Sequence, residues 1–538
     1  MAAVAVGTDG VAVAEAVGPR GSRRALLAAA GGLMLAAAFP NLELSPLAWI
    51  GLVPILLASR GLRLRGAFAI GWLGGLAFYL GTVYWVAYTI VSYTAVPFPL
   101  ALVALVLMTS ILALYHGAFV AGLAWFDAHR LPTIWLAAPL WVTLEWLRGW
   151  FVIGFPWAGL GYSQYRFHDL AQMAEVTGVY GVSAVLVLFN VVAAAVISAQ
   201  GRRAGRLVPA LIVTSVLVVG LPLAGRLRAA SLAARPPAGT LAVALVQGNV
   251  EQDHKWDPAF QNDTTARYRE LTLAAAGERP ALIVWPETAT PFFFQEAGPY
   301  RQDLLELAHE TGAHLLFGSP AFRRAAQGGY DELNRAYLVS PAGREVDSYD
   351  KIQLVPFGEY VPFRRVLFFV DQIVHAIGTV VPGVVPTVFE MPGAHFGVLI
   401  CYEGIFPALT RRFVAGGADF LVNVTNDAWY GRTSAPRQHL AHATFRAVEN
   451  RVPLVRAANT GISAVIDPDG RIRWEGPLFE PLWHVERIAW PGVRTFYAEH
   501  GDVFVYACVF ASFAAFGYGA WRARGHAADR SERPSGAA

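Results

Sequence analysis

The sequence predicts an α-helical membrane bundle of about eight spans joined to an α/β domain. Three observations carry this expectation. Only 15% of the 538 residues are charged and 55% are hydrophobic, where ordinary globular chains carry about 25% charged residues. The acidic residues are unevenly placed: seven of the 39 precede residue 240 and 29 lie between 240 and 501. From residue 240 onward short apolar runs alternate with amphipathic stretches, the pattern of βαβ units. The same numbers exclude intrinsic disorder. A net charge of +3 over this length offers no basic footprint for nucleic acid.

A bilayer-crossing helix needs roughly 20 predominantly apolar residues. Residues 66–126 contain no Asp, Glu, Lys or Arg, which is room for two spans, and Pro97 and Pro99 suit a turn between them. Further uncharged runs cover 25–42, 44–59, 131–144, 177–201, 207–225 and 503–521. The resulting layout is a tail (1–22), seven spans (23–228), a linker with two prolines (229–239), the α/β domain (240–495), a closing span (496–522) and a second tail (523–538). Arginines mark one side of the membrane, at Arg20/Arg23/Arg24, Arg60/Arg63/Arg65, Arg130, Arg202/Arg203/Arg206 and Arg522/Arg524. The alternate loops near Asn41 and Ser92 hold none, so both termini are expected in the cytoplasm and the α/β domain outside. Glu145 and Arg148 have two readings. They form a local interfacial ion pair, or they belong to a lipid-facing loop whose tryptophans, Trp146, Trp150 and Trp157, sit in the aromatic belt.

Within the α/β domain, strands are expected at 241–247, 281–285, 314–318, 336–340, 396–401, 420–423 and 454–457, with 463–466 as a hairpin partner. Helices are expected at 258–276, 300–312, 405–416 and 435–450. Asp467-Pro-Asp-Gly470 is a turn, because proline presets φ and glycine permits positive φ.

Active-site groups of open α/β sheets collect beyond the carboxyl ends of strands. Glu287 follows Ala281-Leu-Ile-Val-Trp-Pro, Lys351 follows Asp347-Ser-Tyr-Asp, and Cys401 ends His395-Phe-Gly-Val-Leu-Ile. Singly, each has a plain structural reading: a turn cap, a solvated charge, a small buried hydrophobe. Together they read differently. Cys401 and Cys508 are the two cysteines, and Cys508 lies in the last span, so Cys401 is an unpaired thiol in an oxidising compartment. Lysine occurs only at Lys255 and Lys351 among 42 basic residues, so Lys351 suggests a site where a compact amine is wanted. A carboxylate can serve a thiol as general base, and an ammonium can stabilise thiolate and oxyanion.

Trp285-Pro-Glu-Thr, Tyr349-Asp-Lys, Cys401-Tyr-Glu and Asn426-Asp-Ala-Trp429 resemble the Glu-Lys-Cys motifs of the nitrilase superfamily. Preceded by these spans, and with Leu245-Val-Gln-Gly-Asn249, Lys255-Trp-Asp-Pro258 and Glu145-Trp-Leu-Arg-Gly-Trp150, the chain is similar to its membrane-embedded branch, the apolipoprotein N-acyltransferases. The resemblance implies an αββα sandwich on the outer face of the bacterial inner membrane. It implies acyl transfer from a phospholipid to the N-terminal amine of a diacylglyceryl-cysteine on an apolipoprotein, without a cofactor or metal. By motif, Glu287 is the general base, Lys351 stabilises the tetrahedral intermediate and Cys401 is the nucleophile. Glu359 and Glu403 match further acidic positions, and Tyr402, Asn334, Trp256 and Trp429 match residues around the site.

Two other readings stand beside this one: a membrane-tethered amidase or nitrilase-type hydrolase using the same triad, and a non-catalytic scaffold or transporter. His439 and His442, three apart on a candidate helix, raise a metal pair, but no recognised ligand set surrounds them.

Overall fold

The computed structural model describes residues 19–151, 154–199, 205–252, 255, 257–325, 328–363 and 380–531. The longer helices of the first half are α1 (Pro19–Ala37), α2 (Leu52–Ser59), α3 (Leu64–Thr82), α4 (Trp85–Tyr93), α5 (Phe98–Ala128), α6 (Thr133–Arg148), α7 (Val179–Ile197) and α8 (Val208–Ala233). Among the described residues, five helices are long and apolar enough to cross a membrane: Leu64–Thr82, Phe98–Ala128, Val179–Ile197, Gly205–Ala233 and Val503–Arg524. The expected count of about eight is therefore not reached by length and composition alone. The reasons are local. α1 carries Arg20, Arg23 and Arg24 in its first turns, α2 has 8 residues, and α6 has 16 and is interrupted by Pro139.

Glu145 and Arg148 make no ion pair with each other among the described residues. Glu145 accepts from Trp141 Nε1 (2.9 Å) and Leu160 N (2.6 Å), while Arg148 donates to the carbonyls of Phe155 (3.1 Å) and Trp157 (2.5 Å). They hold the two ends of one loop. Trp150 and Phe151 are exposed on it, but Trp157 is fully buried.

The second half folds as two six-stranded sheets. The first has the order β12-β1-β2-β3-β4-β5, from β1 (Gly239–Gln247), β2 (Leu282–Val284), β3 (His314–Arg324), β4 (Tyr330–Ser340), β5 (Arg344–Asp350) and β12 (Leu482–Trp490). The second has the order β11-β10-β9-β8-β7-β6, from β6 (Val388–Met391), β7 (Ala394–Ile400), β8 (Phe420–Thr425), β9 (Leu454–Ala458), β10 (Ala464–Ile466) and β11 (Ile472–Glu475). Strands β1–β3 and β7–β9 pair in parallel, the rest antiparallel. Strand side chains alternate between faces, and this builds the layers. Leu241, Val243 and Leu245 of β1 pack with Phe396, Val398 and Ile400 of β7 between the sheets. Ala244 and Val246 turn the other way, onto Tyr268 and Ala275 of α9 (Gln261–Ala276) and Leu304 and Leu307 of α10 (Pro299–Thr311). Helices α11 (Pro407–Ala415) and α12 (Ala435–Asn450) cover the second sheet, completing αββα, and α13 (Val503–Ser531) follows.

The expected strands are all present, β3 and β4 being longer. Four were not anticipated: β5, β6, β11 and β12. Of these β5 is an edge strand in which only Tyr349 is buried, so no apolar alternation marks it.

Helix α12 is buried along its length, because it lies between the second sheet and the membrane helices. Its Gln438 joins them: Oε1 accepts from Trp157 Nε1 (2.7 Å) and Trp85 Nε1 (3.2 Å), and Nε2 donates to the carbonyls of Pro40 (3.0 Å) and Thr82 (2.9 Å). Nearby, Thr89 and Tyr93 of α4 donate to the carbonyls of Trp429 (2.9 Å) and Ala428 (2.8 Å). Gln438→Leu strands four buried polar groups at once, so a loss of about 3 kcal/mol is expected. Thermal unfolding of the detergent-solubilised protein checks it, with a lowered midpoint as the expected reading.

Candidate active site

Three strand ends meet at one point of the sandwich. Strand β2 stops at Trp285-Pro286 because proline has no N–H for the ladder. Trp285 is locked by stacking on Tyr268 and by donating to Thr272 Oγ1 (2.8 Å), and the chain then turns through Glu287 and Thr288. That turn lies directly on Gly318 of β3, where a Cβ would meet Glu287 Cα at 2.7 Å. Only glycine admits so close a backbone. Lys351 follows β5, its N–H continuing the ladder to Asn334 O on β4 (2.9 Å). Cys401 follows β7 and opens a 3-10 turn, Cys401–Ile405, with φ of +51°. That region is rare for a residue with a side chain.

The side chains converge. Lys351 Nζ donates to Glu287 Oε1 (3.0 Å) and Glu359 Oε1 (2.9 Å). Asn334 Nδ2 bridges the same two oxygens, at 2.8 and 3.0 Å. The remaining Glu287 oxygen accepts from Asn426 N (3.0 Å), and Glu359 Oε2 from Val355 N (2.8 Å). Lys351 and Glu287 are buried, with side chains 1% and 7% exposed, so their electrostatics are strong. Burial pushes Glu287's carboxyl up, but Lys351 and then Lys255, with hydrogen bonds from Lys351 and Asn334, outweigh it and hold it below the usual range. Burial lowers Lys351, yet Glu287 and Glu359 overcome that and raise it well above an ordinary lysine. Burial first, then Glu287's charge, pushes the Cys401 thiol up, against Lys351. The resting site is therefore a carboxylate, an ammonium and a neutral thiol.

The other residues expected at the site separate into groups. Asn334 and Glu359 belong to the cluster. Glu403 stands behind it: Oε1 accepts from Tyr349 OH (2.8 Å), Ile352 N (2.7 Å) and Gln353 N (3.0 Å), and Oε2 from Ile400 N (2.7 Å). It thus ties the chain beside Lys351 to the chain beside Cys401. Burial pushes its carboxyl up to about 7, against the pull of these donors. Tyr402 is buried, its ring against Phe406. Trp429 packs edge-on to Tyr93 of α4, at the boundary with the membrane helices rather than against the cluster. Trp256 lies outside the described residues.

Sequence reasoning passed over Lys255. It is 3% exposed, and its Nζ donates to Glu287 O (3.2 Å) and Thr288 Oγ1 (2.5 Å). Burial lowers it to about 8, with Glu287 and Cys401 pulling upward. Both lysines of the chain, not one, therefore stand at this cluster. The signal was present in their rarity, but Lys255 is 32 residues from Glu287 and follows no strand end.

Two family models divide the chain as its architecture does. The carbon-nitrogen hydrolase model matches residues 242–481, which identifies the sandwich as a domain of that class. Residues 31–192 match the model of the apolipoprotein N-acyltransferase N-terminal domain. A relative from Geobacter metallireducens named apolipoprotein N-acyltransferase is 43% identical over 487 residues, covering 90% of this chain and 93% of the relative. Relatives of the same name from Azotobacter vinelandii (37% over 470 residues, 85% and 87% coverage) and Chlorobaculum tepidum (31% over 510 residues, 89% and 93%) agree. The chain belongs to the apolipoprotein N-acyltransferase family and is an acyltransferase.

Proposed function

We propose that this chain moves an acyl chain from a membrane phospholipid to the N-terminal amine of a diacylglyceryl-cysteine on an apolipoprotein, through a thioester on Cys401. The observation that carries the reading is an ionised Glu287 and a neutral Cys401 thiol sharing one buried site with the Lys351 ammonium. Glu287 takes the thiol proton as Sγ attacks the ester carbonyl. Lys351 stabilises the oxyanion. Collapse breaks the ester C–O bond, and the proton passes from Glu287 to the departing lysophospholipid oxygen. The acceptor's α-amine, whose ordinary pKa is near 7.7–8.0 and which is partly neutral at pH 7, then attacks the thioester. Glu287 takes its proton, the C–S bond breaks, and the proton returns to the thiolate. Glu359, Asn334 and Glu403 hold the three groups in position. Tyr402 and Trp429 border the lipid path in this reading, and Trp256 is assigned to substrate binding by its motif alone. The scheme uses side chains only.

The chain crosses the bacterial inner membrane eight times in this reading, with both termini cytoplasmic and the catalytic domain outside. The crossings are α1, residues 45–59, α3 with α4, α5, α6, α7, α8 and α13. Two arguments support it. The arginine-bearing loops of the first half alternate with two arginine-free ones, near Asn41 and Ser92. Pro40, Tyr93 and Trp157, at or beyond the expected outer ends of the crossings, all bond the catalytic domain.

The test is to incubate the purified protein with phospholipid and look for an acyl adduct on Cys401 by mass spectrometry, then to add a diacylated lipopeptide. Passage of the acyl chain to the peptide amine supports the reading. Release only as free fatty acid would overturn transfer to the peptide amine, and no adduct on a folded protein would overturn the thioester route.

Lys255 gives a pH prediction. With Lys351 shared by two carboxylates, the Lys255 charge balances the cluster, and it is lost as pH rises through about 8. Single-turnover acylation of Cys401 is expected to fall above that pH. Lys255→Met should be at least ~10-fold slower at pH 7, and Lys255→Arg, which keeps its charge, should lose the alkaline fall. The pH–rate profile of the first half-reaction checks both.

A further inference from the structure

The two histidines that the sequence offered as a metal pair go separate ways, and one of them reaches the nucleophile. His442 packs against Tyr162 with the rings tilted at 38° (3.8 Å between ring centres). His439 Nε2 lies 3.1 Å from the carbonyl oxygen of Cys401. A second donor, Asn423 Nδ2 on β8, reaches the same oxygen at 3.4 Å and that of Leu399 at 2.8 Å. His439 and Asn423 are both fully buried.

One residue orients both donors. Arg456, on β9 and fully buried, bonds Asn423 Oδ1 through Nη1, which turns the amide so that Nδ2 faces Cys401. Its Nη2 donates to Asp427 Oδ2 (2.7 Å) and lies 3.0 Å from His439 Nδ1. A guanidinium N–H against Nδ1 makes that nitrogen an acceptor, so the ring proton sits on Nε2 and points at the Cys401 carbonyl. Asp427 Oδ1 is 3.2 Å from Nδ1 and takes its own hydrogen bond from Thr425 Oγ1 (3.0 Å). Burial and then the Arg456 charge hold the ring neutral, against Asp427.

We infer that His439, oriented by an Arg456 side chain that Asp427 anchors, is a positioning residue for the nucleophile. It clamps the Cys401 carbonyl and so holds the thiol-bearing elbow in the conformation from which Sγ attacks. The need for a clamp follows from the backbone. Cys401 has φ of +51°, and a side-chain residue stays in that region only when its surroundings over-determine it. The peptide group is planar. Fixing the carbonyl therefore fixes Cys401 ψ, the direction of its side chain and the orientation of the Tyr402 N–H together. Released, the elbow relaxes toward commoner backbone angles and the sulfur leaves its line to the ester carbon. A misplacement of about 1 Å costs on the order of 10²-fold in rate.

The inference rests on Cys401 being the acylated residue. The experiment compares full-length His439→Leu, His439→Gln and the unaltered protein in detergent micelles containing palmitoyl-oleoyl phosphatidylethanolamine. It follows the Cys401 adduct by mass spectrometry and the fold by thermal unfolding. His439→Leu is expected to acylate about 10²-fold more slowly, while His439→Gln, which retains an amide donor at the Nε2 position, recovers to within about 10-fold of the unaltered rate. Rescue by glutamine separates a lost hydrogen bond from a lost fold. Acylation of His439→Leu at the unaltered rate would overturn the inference, as would equal slowing of both variants. Absence of an adduct on the unaltered protein would instead sink the thioester reading itself.

Discussion

Cys401→Ala abolishes the acyl adduct and lowers acyl transfer by at least ~10⁴-fold, whereas Cys508→Ala leaves both unchanged. The size of the first effect follows from covalent catalysis: without the thiol there is no thioester, and residues that act as a unit lose nearly everything when the nucleophile goes. The contrast follows from position. Cys508 is buried in α13, within the run 503–521 that carries no charge. Cys401 sits beside the Glu287–Lys351 pair, whose charges act on its titration. Removing one sulfur from a small buried side chain costs little packing, so the fold should persist. Mass spectrometry of both variants after incubation with phospholipid, alongside their melting curves, decides the matter. An adduct surviving in Cys401→Ala would rule out the proposed nucleophile.

Lys351→Met has the second-largest effect, because it strikes stability and chemistry together. Lys351 is the shared counter-ion of Glu287 and Glu359, whose side chains are 7% and 15% exposed. Removing one partner of a buried pair costs about 3–5 kcal/mol, since the other charge is left uncompensated. The sign of the pH dependence distinguishes this from general damage. In the unaltered protein Glu287 is depressed, so its stabilisation is present above an unfolded value of about 4.3 and lost as pH falls through the folded one. Lys351 is raised, so its stabilisation is present below about 10.4 and lost as pH rises through the folded value. Both terms are in force from about pH 5 to 9. Without the ammonium the two carboxylates repel, and at least one titrates above its unfolded value. Lys351→Met should therefore gain more stability than the unaltered protein as pH falls from 8 to 5. Thermal midpoints across that range measure it. A variant whose midpoint rises no more on acidification than that of the unaltered protein would contradict the shared-counter-ion reading. Acylation should also drop by about 10²–10³-fold as oxyanion stabilisation is lost.

Much of this site was legible because two of its three reacting groups follow apolar strands. Leu282-Ile-Val leads through Trp285-Pro286 to Glu287 and Phe396-Gly-Val-Leu-Ile runs directly into Cys401, and parallel strands deliver their carboxyl ends to one edge. Lys351 stood out by its rarity and motif instead, because β5 carries no apolar alternation. Glu359 and Asn334 were named from motif and do join the cluster. Lys255 was not recognised, because no local pattern announces a lysine that travels to a turn 32 residues away. Glu403 was named only as a further acidic position, and its four bonds to the chain beside Lys351 and Cys401 make it a strut. Glu145 and Arg148, three apart on α6, suggested partnership with each other. Each instead finds a partner across the loop, because backbone N–H and C=O groups there require satisfaction.

By itself, the sequence determined which segments are apolar enough for lipid, where the α/β domain begins, and which carboxylate, amine and thiol stand at strand ends. Those properties are local: hydrophobic run length, charge and alternation are fixed by neighbours in the chain. Tertiary structure alone decided that both lysines share the site, that α12 is the buried wall between sandwich and membrane helices, and that Arg456 orients His439 and Asn423 toward the Cys401 carbonyl. Each of these depends on contacts between residues far apart in sequence. They form only where packing excludes water and a buried polar group must find its partner inside the protein.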